Sequence, residues 1–160
     1  LPRGISCARR ICANRIGERV TAVYTKFNVF VEDVCEKVHN LGSDTLKVAL
    51  TNTAPTAATD AGLSNITQIS GTNGYTTGGT QATQSSSAQT SGTYKLVLAD
   101  VTFTASGGSM GPFRYAVLYN DTATSDQLIA YWDYGSSITL ADTETFTVDF
   151  SATNGVFTLA

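Results

Sequence analysis

A mainly β fold is the expectation for this chain: an antiparallel, jelly-roll-like β-sandwich with one N-terminal amphipathic helix docked on it. Three observations lead there. Charged residues make up only 14% of the 160 positions, while apolar residues stand at 42%, and Ser, Thr and Gly fill the gap. Threonine is branched at Cβ and fits a pleated surface better than a helix. From residue 94 onward the chain is a series of short alternating apolar runs broken by Gly-, Asn- and Asp-rich turns, the signature of a sandwich or barrel. Finally, a single segment carries helical spacing. A chain of this length suits one domain.

The first twenty residues read as a basic extension set apart from a single domain over 21–160. They hold five arginines against Glu18, a net +4, whereas residues 21–160 hold five basic and twelve acidic side chains, a net −7. Such an arm can meet nucleic acid or an acidic partner, but its composition matches nothing downstream. It reads as an upstream addition outside the native domain, with "GER" before Val20 resembling a ribosome-binding site translated ahead of a GTG start. No apolar stretch follows it, so no secretory signal is expected. No apolar run spans a bilayer as a helix. The net charge of −3 argues against nucleic-acid binding.

In 25-TKFNVFVEDVCEKVHNLGSD-44 the apolar residues Phe27, Phe30, Val31, Val34, Val38 and Leu41 follow one helical face. Thr25 suits the N-cap and Gly42 the C-terminal stop. The period then becomes two: Leu46, Val48 and Leu50 alternate with Lys47, Ala49 and Thr51, as in a half-buried strand. Residues 52–62 form a loop, and Ile66 and Ile69 a short strand or turn. Residues 72–93 carry no charge, and eighteen of the twenty-two are Thr, Ser, Gly or Gln. This is a long loop plus a polar edge strand near 80–90. Strands follow at 94–105, 112–120, 127–134, 137–140, 144–151 and 155–159. Asn154-Gly155 suits a type I′ hairpin turn.

The pair 112-PFRYAVLYN-120 and 127-QLIAYWDY-134 invites a hairpin across "DTATSD". If paired positions sum to 247, Arg114 lies opposite Asp133, Tyr115 opposite Trp132, and Tyr119 opposite Leu128. A one-residue slip would move Arg114 off the face of Asp133. Both faces are apolar, so the hairpin should be central and covered on both sides. Arg114 and Asp133 thereby become a structural register pair.

Chemistry-bearing constellations are sparse. His39, the sole histidine, reads as a charge at a helix C-terminus and not as a general base, because no nucleophile is nearby in sequence. Cys7, Cys12 and Cys35 form an odd set without the second ligand pair of a zinc site. Most acids fall in turns, where Asp bonds local backbone. The segment 120-NDTATSD-126 offers oxygen ligands for Ca²⁺ but lacks the EF-hand pattern. The Gly-rich stretches lack the Gly-Lys-Ser/Thr of a phosphate loop, and Asn65 and Asn120 match the glycosylation triplet. No catalytic residue, no cofactor-binding residue and no metal ligand is expected, and no cofactor. Aromatic rings suit sugars, so Tyr131, Trp132 and Tyr134 are considered. Tyr75, in an uncharged Gly-rich loop, is the candidate ligand contact under a carbohydrate-binding alternative.

Three stretches, 26-KFNVFVEDVCEKVHNLGSDTLKVALTNTAP-55, 92-GTYKLVLADVTFTASGGSMGPFRYAVLYND-121 and 131-YWDYGSSITL-140, resemble small structural proteins of tailed-bacteriophage virions. The resemblance spans about residues 24–160 and carries no catalytic motif. It implies a non-enzymatic capsid decoration or tail component located in the virion. Its partners would be protein: further copies of itself, as a homo-oligomer in a lattice or ring, or capsid or tail subunits. The alternative is a receptor- or carbohydrate-binding adhesin module of a phage fibre.

Overall fold

Alternating sequence becomes strand where a neighbour can cover the apolar side, as at residues 46–51, 110–120 and 128–140, and polar edge strands complete the sheets. The structure, a computed structural model, describes residues 22–160; the basic segment 1–20 lies outside the described residues. Strands are β1 (Val23–Lys26), β2 (Leu46–Thr51), β3 (Thr80–Gln81), β4 (Gln84–Thr90), β5 (Thr93–Leu98), β6 (Val101–Thr104), β7 (Met110–Asn120), β8 (Leu128–Leu140), β9 (Thr145–Val148) and β10 (Phe157–Leu159), with one α-helix, α1 (Val29–Cys35). The fold is mainly β and its sheets are antiparallel. One has the order β1-β8-β7-β2-β3, a second β10-β5-β4, and a third β6-β9.

The central sheet is apolar on both faces, which explains why β7 and β8 read as they do. On one face Leu46, Val48, Leu50, Leu118 and Trp132 share a core with Leu96 and Leu98 of β5, Phe103 of β6 and Phe146 of β9. On the other, Ala49, Val117, Tyr119 and Leu128 pack with Phe27 and with Ile66 of the 52–69 loop. β2 is therefore covered on both sides, and the expectation of a half-buried strand is corrected: Ala49 and Thr51 are as buried as Leu50. The Thr51 hydroxyl makes that possible by donating to the Thr67 carbonyl at 2.5 Å, since a buried hydroxyl needs a partner.

The helix is shorter than its periodicity suggested. Residues 23–26 pair with β8, Tyr24 lying opposite Trp132, so Thr25 is in a strand and caps nothing. Asn28 takes the N-cap position. Phe27 and Phe30, neighbours on the expected stripe, enter opposite cores, and Val31 is 50% exposed. The helix closes at Lys37 (φ +64), with Val38 N–H donating to the Asp33 carbonyl at 2.9 Å, the bond of a Schellman cap. Gly42 is thus not the terminator.

Four further expectations change. The run 94–105 divides into β5 and β6, which belong to different sheets; Asp100 holds the corner by accepting from Phe150 N–H at 2.9 Å. The segments 127–134 and 137–140 are one strand, bulged where Phe113 pairs with Ile138 and Tyr115 with Asp133. Asn154-Gly155 is no I′ turn: only Gly155 has positive φ, and β10 pairs with β5 instead of β9. The hairpin register sums to 247 only at Tyr119–Leu128. After an irregularity between Leu118 and Tyr119 it becomes Leu118–Ala130, Val117–Tyr131 and Ala116–Trp132. Asp133 therefore faces Tyr115, not Arg114. The bulge absorbs the shift, because an extra residue lets one strand advance without turning every later side chain inside out.

Candidate functional site

The polar groups that the fold buries, and the grooves it leaves open, are where a site would lie. Arg114 and Asp133 meet although they are not directly opposite. Arg114 Nε donates to Asp133 Oδ1 at 2.7 Å and a terminal nitrogen donates to Oδ2 at 2.8 Å, a two-pronged contact that fits guanidinium to carboxylate. Asp133 Oδ1 also accepts from Gly135 N–H at 2.7 Å. This carboxylate thus fastens the start of the β8 bulge, where Gly135 takes φ +93. The hydrogen bond from Arg114 holds the Asp133 carboxyl below the usual aspartate range. The pair is engaged in holding the hairpin, with the Arg114 side chain 38% exposed.

Tyr75, the candidate ligand contact, is 3% exposed. Its ring packs against Phe103 at 6.1 Å. Its hydroxyl donates to Gln68 Oε1 at 2.7 Å and accepts from Leu50 N–H at 3.2 Å, and burial pushes its pKa up to about 12. The uncharged loop places this ring inside because Gly74, Gly78 and Gly79 all take positive φ and bend the chain back over β2. Trp132 and Tyr134 are also buried, while Tyr131 is half-buried between Phe27 and Tyr115.

His39 lies beyond the end of α1, buried in a polar cluster that the sequence did not announce. Asn120 Nδ2 donates to Asp44 Oδ2 at 2.6 Å and lies 3.1 Å from His39 Nδ1. With one amide proton for each neighbour, Nδ1 accepts and the imidazole proton sits on Nε2. That nitrogen lies 3.8 Å from Asp33 Oδ2, beyond hydrogen-bond reach. Burial lowers the pKa of His39, partly offset by Asp44. Burial raises that of Asp33, helped by Glu32 and Glu36. A neutral imidazole closed in by Phe30 at 5.2 Å serves packing. Asn120, fully buried, also accepts from Thr122 and Ala123 N–H through Oδ1, so the glycosylation triplet there is inaccessible. Its role had one signal in the sequence, the Asn-Asp-Thr turn at a strand end; its partners at 39 and 44 are too distant in sequence to be guessed.

Beside this cluster opens a groove of about 700 Å³, lined by the apolar Val34, Leu41, Tyr94, Phe157 and Leu159 and by the polar Lys37, His39, Asn40 and Ser87. Of its polar side chains, Ser87 is bonded to the Tyr94 hydroxyl at 2.8 Å and His39 is the imidazole held by Asn120. In the 120–126 loop Asp121 is bound to Lys47 at 2.8 Å. Among the described residues no group of three or more His, Cys, Asp and Glu side chains is placed to hold a metal ion. Cys35 is free and exposed. No helix among the described residues is long and apolar enough to cross a membrane. No family model, curated protein or solved structure matches this chain.

Proposed function

We propose that the chain is a non-enzymatic structural component of a bacteriophage virion, a capsid decoration or tail protein that works by protein–protein assembly. In this reading the two cores belong to a jelly-roll-like sandwich with α1 docked at one end. The observation that supports it is the disposition of polar groups. Asn120, Thr51, Tyr75 and the Nδ1 of His39 bond to the fold itself, while among the described residues Asp33 Oδ2, His39 Nε2 and Trp132 Nε1 are buried without a hydrogen-bond partner. What the surface offers instead is an uncharged, exposed strand, β4. Oxygen-rich and charge-free edges suit contact with other subunits better than capture of a small ligand. The carbohydrate-binding alternative loses its main support with the burial of Tyr75.

The test is location on the particle. Mass spectrometry of gradient-purified virions from the host that carries the gene should find the chain at a fixed copy number, and antibody labelling should place it on head or tail. A chain absent from purified particles, and failing to co-sediment with them when added, overturns the proposal.

A further inference from the structure

We infer that the outer edge of β4 is the surface through which two copies of this chain pair, joining their three-stranded sheets into one six-stranded antiparallel sheet. This inference deepens the assembly reading above but stands on the geometry of the edge. β4 and β5 are joined by the two-residue turn Ser91-Gly92, with φ of +50 and +84. Such a type I′ turn makes its flanking residues, Thr90 and Thr93, a hydrogen-bonded pair. Bonded and non-bonded pairs then alternate along the ladder. Ala88–Lys95 is bonded inward, while Gln89–Tyr94 and Ser87–Leu96 are not. The amide and carbonyl of Ser87 and Gln89 therefore point outward, and no described residue bonds them.

Those outward groups suit a two-fold axis. An isologous contact requires that if residue i meets j, then j meets i. Centred on Ala88, the pairing sets Ser87 against Gln89 of the second copy and Gln89 against Ser87, giving two bonded pairs and four hydrogen bonds. Ala88 then meets its own counterpart in the closer, non-bonded position, where Cα atoms lie about 4.5 Å apart. A small side chain is needed there, and Ala88 is the only apolar residue of Gln84–Thr90.

Charge points to the same partner. Exposed edges are ordinarily guarded by lysine, proline or a mid-strand bulge. β4 has no charge and no proline, and its irregularity falls at Gln84/Ser86, before the segment that would pair. Residues 21–160 carry a net −7, so two copies repel over much of their surface. The charge-free edge lets them approach without placing acid against acid. The nearest cations, Lys95 of each copy, would lie about 15 Å apart across three inter-strand spacings, beyond the screening length at physiological salt.

The experiment is sedimentation velocity of the full chain over a concentration series, beside Ala88→Glu. Glutamate at 88 faces Lys95 within its own hairpin, which favours the monomer's ladder, and faces a second glutamate at the axis, which opposes pairing. A concentration-dependent dimer whose dissociation constant rises at least about tenfold in Ala88→Glu, with unchanged circular dichroism, supports the inference. Ala88→Cys, in a background with Cys7, Cys12 and Cys35 replaced by serine, should oxidise to a covalent dimer while Thr90→Cys does not. This readout decides the matter if the glutamate variant fails to fold. A monomer at every concentration, equal dimerisation of the wild type and Ala88→Glu, or no preference of cross-linking for position 88 overturns it. A wild-type chain that binds purified virions but stays monomeric would refute the edge and leave the assembly reading standing. A chain that dimerises at Ala88 but never binds particles would do the reverse.

Discussion

At the scale of single residues, commitment to the backbone is what separates structural polar groups from available ones. Tyr75→Phe removes one donor and one acceptor from a buried site and leaves Gln68 Oε1 with one partner, the Gly78 amide. Chemical denaturation should show a loss of about 1–3 kcal/mol, with the folded state's spectrum unchanged. Gly79 is held more tightly still. It takes φ +74, and a Cβ there would come 1.9 Å from the Val48 carbonyl oxygen. Gly79→Ala should lose well over about 1 kcal/mol, since the left-handed penalty alone is of that size and backbone atoms block the added methyl. A variant as stable as the parent in a urea titration would mean that β2 and the 76–79 turn can separate freely.

Among elements, polar anchors decide where strands begin, bend and stop. Asn120 ends β7 and ties it to the 39–44 segment; Asn120→Ala leaves Asp44 and His39 each short of a bond, and thermal unfolding should report a loss of about 2–3 kcal/mol. His39 adds a pH dependence of known sign. Its folded pKa lies below the ordinary 6.5 because of burial, so the unfolded chain binds the proton more readily. The stabilisation is complete above 6.5 and is lost as pH falls through 6.5 toward the depressed folded value. Asp33, raised from 3.8, acts oppositely at lower pH. His39→Gln should flatten the pH profile of the melting temperature just below 6.5; an unchanged profile would place His39 in contact with water. Asp133 works in a third window. Its folded value lies below 3.8, so the help it gives the bulge is present above 3.8 and fades as pH falls below it. Arg114→Met should weaken that acid-limb dependence, leaving the smaller part due to the Gly135 amide.

For the molecule as a whole, the core is continuous across all three sheets, so damage at its centre should be felt everywhere. Trp132 is 1% exposed and touches Tyr24 of β1 and, at 5.3 Å, Phe150 beyond β9. Trp132→Ala leaves a void and should lose about 3–5 kcal/mol. Backbone and aromatic circular dichroism should still unfold together. If they separate, the sheets unfold independently and the shared core is not what couples them.

Local pattern alone determined much of this. Alternation in 46–50 and the β7–β8 aromatics marked strands, and the charge-free 80–90 stretch marked a polar edge, because side-chain period and composition act over a few residues. Arg114 and Asp133 could be matched across a loop because one cation and one acid lie in those strands. Tertiary structure decided the rest. The extent of α1 depended on β8, whose edge claimed residues 23–26 as a strand, a contact about a hundred residues away in sequence. The place of Tyr75 depended on which face of β2 the Gly-rich loop folded over. The register depended on a bulge that no pattern foretells. In each case long-range packing, which buries more apolar area than any local preference is worth, chose among conformations that the local sequence left nearly equal.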